Sequence, residues 1–142
     1  MTNETITTGL PATHAVSDSL ITYTNVIYAL HALAVVVGVL TSATIVLSFV
    51  ASVPSIIAVI MNYVRRSEVR GTFLDSHFSW QIRTFWFAAL WTVILWAVSL
   101  PLMLVLIGFG IWFGGLLLLG VWIIYRVARG WFALRDRKPM YV

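Results

Sequence analysis

The chain contains no cysteine, so disulfides are excluded and no Cys/His spacing exists to assemble a zinc site. Charge is also scarce. Only 10% of the 142 residues are Asp, Glu, Lys or Arg, against about a quarter in soluble domains. The deficit is concentrated in two places: no such residue occurs between Asp18 and Arg65, or between Arg83 and Arg126. The N-terminus lacks the Lys/Arg that opens a secretory signal, so no cleavable signal peptide is expected. No internal repeat of useful period appears.

What fills the uncharged stretches is apolar, and the composition is 61% hydrophobic. A helix needs about 20 apolar residues to cross a hydrocarbon core of about 30 Å, and each uncharged run is about twice that length. One straight helix over either run would be far too long even if tilted. The expectation is an all-α membrane protein, a four-helix bundle made of two hairpins. The alternative is three transmembrane helices plus an interfacial segment.

Residues 1–19, rich in Thr, Ser and Ala, read as a flexible polar tail. A transmembrane helical domain over 20–135 follows, with helices at about 20–48, 54–65, 73–106 and 111–134, and residues 136–142 form a cytoplasmic tail. Pro54 is the break in the first run, since proline suits a helix's first turn. Twelve residues from Pro54 rise only about 18 Å, which keeps the three-crossing alternative open. Thr72 reads as a helix cap, with Asp75 three residues on to reach back. Pro101 is expected to kink the third helix, and Ile107-Gly108-Phe109-Gly110 is expected to be the turn.

Lys and Arg mark the cytoplasmic side. Arg65, Arg66, Arg70 and Arg83 flank the middle loop, and Arg126, Arg129, Arg135, Arg137 and Lys138 flank the end of the last helix. One hairpin between Arg83 and Arg126 places both groups on one face, with the C-terminus cytoplasmic. The side of the N-terminus depends on whether the first run crosses twice or once. Trp80, Trp86, Trp122, Tyr125 and Trp131 suit an interfacial belt on the basic side, and Arg83 or Arg126 can lie over an indole face.

No catalytic or metal-site signature stands out, and neither enzyme activity nor a cofactor is expected. A candidate polar cluster gathers Tyr28, His31, Asn62, Asp75, His77, Gln81 and Arg83 at one depth, with His77 and Gln81 four residues apart on one helix face. The plainer reading is structural: Asp75 pairing with Arg83, and His77 satisfying a backbone carbonyl. His31 and His77 also form a conceivable bis-histidine haem pair. Gly110 and Gly114 make a GxxxG pattern suited to helix packing, within the chain before between chains. Arg126, Arg129, Arg137 and Lys138 are candidate contacts for anionic lipid or a partner.

The stretch Asn62 to Trp86 (NYVRRSEVRGTFLDSHFSWQIRTFW), with Tyr28-Ala29-Leu30-His31 before it and Ile124 to Trp131 (IYRVARGW) after it, resembles a family of small bacterial inner-membrane proteins of unknown function. Those proteins are distantly similar to a membrane subunit of the chloroplast inner-envelope protein translocon. The resemblance covers about residues 26–140 and implies a four-helix membrane fold, with no activity or catalytic residues to carry over.

The leading functional expectation is a non-enzymatic accessory or assembly subunit of a bacterial inner-membrane complex. It would contact membrane lipids and a larger membrane complex or its own copies, and no nucleic acid. Alternatives are a translocation or transport component acting as an oligomer, and a haem- or lipid-binding membrane module. Transport is disfavoured because neither uncharged run carries a mid-membrane carboxylate.

Overall fold

A computed structural model describes residues 16–40 and 52–140. The described chain is all-helical: α1 (Asp18–Leu40), α2 (Val53–Val64), α3 (Phe73–Leu102), a 3-10 turn (Met103–Val105) and α4 (Ile107–Arg135). Helix α1 starts two residues before the expected Leu20. The expected remainder of that helix, 41–48, lies outside the described residues.

Three stretches, Asp18–Gly38, Phe73–Val105 and Ile107–Arg135, are long and apolar enough to cross a membrane, and Val53–Val64 is a shorter apolar helix. The chain is a membrane protein. Its outward surface agrees: Leu90, Trp91, Val93, Leu117, Leu118 and Val121 are all exposed, which suits lipid and not water.

The helices form two antiparallel pairs. Near the start of α1, Tyr23 donates its hydroxyl to the Met61 carbonyl near the end of α2, at 3.0 Å. Helices α3 and α4 run back to back through the tight turn. Helix α1 also packs against α3 and α4, and α2 against α3, while α2 and α4 do not touch among the described residues. The core follows helical spacing. Leu74, Phe78, Phe85 and Ala88 on α3 face Leu116, Leu119, Ile123 and Val127 on α4, with Ile27, Tyr28 and Ala34 of α1 closing over them. Steps of three and four residues keep these side chains on one face.

Each end of the bundle has local causes. Ser52, in extended conformation, precedes α2, which carries proline in its first turn. The Thr72 hydroxyl accepts from the Leu74 amide at 3.2 Å and so caps α3. At the far end, Pro101 cannot donate within the helix, and α3 stops one residue later. The left-handed residue of the turn is Leu106, at φ 63°, and α4 begins at once. The turn therefore lies at 103–106, four residues before the expected one, because Gly108 serves another purpose. A side chain there would collide with the Ser99 carbonyl oxygen and with the Met103 nitrogen. Gly108 lets α4 start against the end of α3.

The basic residues share one end. Arg65 lies 4.6 Å from the centre of the Tyr23 ring, and Arg137 reaches Asp18 at 3.7 Å. The start of α1, the end of α2, the start of α3 and the end of α4 thus meet at the basic end, so α1 leaves that end and α2 returns to it.

Candidate functional site

The polar side chains converge between α1, α3 and α4 near the basic end. His77 lies on the second turn of α3 and is fully buried. The Tyr28 hydroxyl of α1 is 2.9 Å from its Nδ1, and the Lys138 carbonyl is 2.8 Å from its Nε2. A carbonyl only accepts, so Nε2 carries the proton and donates to Lys138. In the neutral ring Nδ1 then accepts from the tyrosine hydroxyl. The rings of Tyr28 and His77 meet edge to face, with centroids 5.9 Å apart.

The tail folds back over this point. The Met140 amide donates to the Ser76 hydroxyl at 2.9 Å, and the Met140 side chain is buried. Residues 136–140 are therefore strapped to the start of α3 by two hydrogen bonds from different residues. Gly130 makes room on α4, since a Cβ there would press into the Tyr28 ring and hydroxyl.

Deeper in, Tyr28, His31, Trp80, Gln81, Thr84 and Arg126 surround a space of about 10 Å³, room for one water at most. His31 Nδ1 is 3.0 Å from the Ile27 carbonyl one turn before it. Arg126 donates from Nε to the Thr84 hydroxyl at 2.7 Å. Its guanidinium lies 3.6 Å from the centre of the Trp80 ring, and the Trp80 indole N–H donates to the Arg126 carbonyl at 3.1 Å. One arginine is thereby stacked, hydrogen-bonded and held by the same facing helix.

The structure brings Tyr28, His31, His77 and Gln81 together but not the other expected members. Asp75 is half-buried and Arg83 is exposed. At about 100° per residue, positions two apart point roughly opposite ways, so a helix burying His77 and Gln81 turns Asp75 and Arg83 outward. Nor do those two form an ion pair among the described residues. Asn62 is fully buried on α2 with neither amide atom hydrogen-bonded among the described residues, so no bond links it to the cluster. Haem ligation by His77 would have to break one of its two hydrogen bonds. Among the described residues no three His, Cys, Asp or Glu side chains group as metal ligands.

Two expected surface features also separate. Gly110 and Gly114 face outward on α4 with open space where a Cβ would stand. Packing inside the chain falls instead to Gly108, Gly115 and Gly130. Of the four expected basic contacts, Arg137 pairs with Asp18 and Lys138 with Asp136, leaving Arg126 and Arg129 beside Trp80. Trp80, Thr84 and Arg126 are members that the expected cluster omitted. Their signal was present: Trp80 and Thr84 flank Gln81 at helical spacing, and Arg126 ends an uncharged run.

No family model, curated protein or solved structure matches the chain.

Proposed function

We propose that the chain is a non-enzymatic helical subunit that packs into a larger complex of a bacterial inner membrane, with its basic end and C-terminus in the cytoplasm. The observation that carries this reading is the outward Gly110/Gly114 seam, open at both positions. In lipid, small residues on an outer face let a second helix approach closely, and packing is what drives association there. The clustering of arginines at one end supports the orientation. Tyr28 bonds to His77, His77 to the tail strap and Arg126 to Thr84, which supports packing over passage of a solute. The resemblance of residues 62–86 to small bacterial inner-membrane proteins supports the location.

Gly114→Leu tests the reading. A Cβ at this outward position has open space around it, so the fold should hold while the seam closes. Native mass spectrometry after gentle extraction is expected to find the wild type bound to a partner or second copy, and Gly114→Leu depleted of it about tenfold. A wild-type chain that always runs alone would overturn the proposal.

A further inference from the structure

Arg126 and Arg129 both lie over Trp80, with guanidinium carbons 3.6 Å and 5.7 Å from the ring centre. Arg83 is within electrostatic reach of Arg126. Three positive charges thus share one patch between α3 and α4. No carboxylate neutralises them: among the described residues Asp18, Glu68 and Asp136 pair with Arg137, Arg65 and Lys138, and none with the three arginines. Arg126 is oriented through Nε by Thr84, its only side-chain hydrogen bond among the described residues.

Directly beyond the patch lies an apolar groove of about 300 Å³ lined by Trp91, Leu95, Gly115, Leu118, Leu119 and Trp122. Trp122 joins the two parts, because it lines the groove and its ring centre is 5.0 Å from the Arg126 guanidinium. From Arg126 to Gly115 the helix rises about 16 Å. The groove therefore runs along the membrane-crossing hairpin, from the basic end into the apolar layer.

We propose that this cleft between α3 and α4 binds an anionic phospholipid, its phosphate held by Arg83, Arg126 and Arg129 and one acyl chain seated in the groove below Trp122. Guanidinium groups present paired donors matched to phosphate oxygens, and Arg126 is already oriented by its stacking. A free phosphate would use the basic patch and leave the groove unfilled. An acidic peptide would supply charge but no chain for the groove. A phospholipid alone satisfies both parts at the depth where its headgroup and tail lie.

The experiment reconstitutes the full chain in nanodiscs of equal phosphatidylglycerol and phosphatidylcholine and counts retained lipids by native mass spectrometry. At about fivefold per arginine near an anionic headgroup, the wild type is expected to prefer phosphatidylglycerol about 100-fold. Arg83→Gln with Arg129→Gln, both exposed, Arg129 bonding only to the exposed Tyr125 hydroxyl of its own helix among the described residues, should lower that preference about 25-fold. Leu118→Trp should block the groove and reduce retention of either lipid, with glycerol 3-phosphate remaining a poor competitor. Equal retention of the two lipids by the wild type overturns the proposal, as does an undiminished preference in the double variant. Glycerol 3-phosphate competing as well as the lipid overturns it too, by marking a phosphate site without a tail groove.

Discussion

Gly108→Ala is expected to destabilise the protein by about 3 kcal/mol or more, through a single methyl group. Forced overpacking costs about 1–3 kcal/mol when side chains can yield. Here the colliding atoms are main chain: the Ser99 oxygen, the Met103 nitrogen and, at 2.6 Å, the Leu102 carbonyl carbon. Main chain moves only if the end of α3 unwinds, and that end is already shaped by Pro101 and by the left-handed Leu106. The comparison variants are Gly110→Ala and Gly114→Ala. Both positions are open, and alanine favours a helix over glycine by about 1 kcal/mol, so these should be neutral or stabilising. Thermal unfolding of the three proteins in one detergent reads the difference. A Gly108→Ala protein as stable as Gly110→Ala would show that α4 does not start against α3 in this way.

His77→Ala is expected to cost about 2–5 kcal/mol and to release the tail. The substitution strands the buried Tyr28 hydroxyl, at about 1–3 kcal/mol when left unpaired, and breaks the part-buried bond to the Lys138 carbonyl, worth about 0.5–1.5 kcal/mol, with the packing of the lost ring added. Tyr28→Phe removes one bond and leaves His77 Nδ1 without its donor, and should cost about 1–3 kcal/mol. In the double variant the Tyr28 substitution should recover part of the loss, since it removes the hydroxyl that His77→Ala leaves unpaired. The tail gives an independent readout. With the Lys138 carbonyl freed, trypsin should cut after Arg137 several times faster in His77→Ala than in the wild type. Equal cleavage rates would contradict the strap, and full additivity of the two substitutions would contradict the Tyr28–His77 bond.

The membrane-crossing hairpin from Arg83 to Arg126 was legible because an uncharged run is a one-dimensional signal: its length alone demands a turn. The position of the turn was not legible by the same logic. Gly108 and Gly110 drew the expectation toward themselves, since glycine is the usual left-handed residue. In the fold Leu106 takes that conformation, and Gly108 serves a close approach that only the partner helix reveals. The outward Gly110/Gly114 seam has the same cause, because GxxxG spacing names a face without saying what the face meets.

The polar cluster was half legible. Tyr28, His31, His77 and Gln81 follow from depth and helical spacing together. Asp75 and Arg83 share that depth, but they sit about half a turn from the buried face, a distinction the helical period alone could have made. That Arg126 can lie over an indole face follows from its place among the tryptophans of the basic end, and it does so over Trp80. Its inward placement depends on Trp80 and Thr84 of a facing helix, which no local pattern encodes.

The central claim is that four chain segments meet at one membrane face: the start of α1, the loop after α2, the start of α3 and the tail after α4. The absence of cysteine makes single-cysteine labelling with a membrane-impermeant maleimide the most direct measurement. Ser17→Cys, Ser67→Cys and Lys138→Cys should all react from the same side of sealed membrane vesicles that carry the protein. Leu104→Cys, which replaces a side chain 91% exposed at the far end, should be protected from that side. Labelling of Ser67→Cys and Lys138→Cys from opposite sides would contradict the account, and so would Ser17→Cys reacting only from the side of Leu104→Cys.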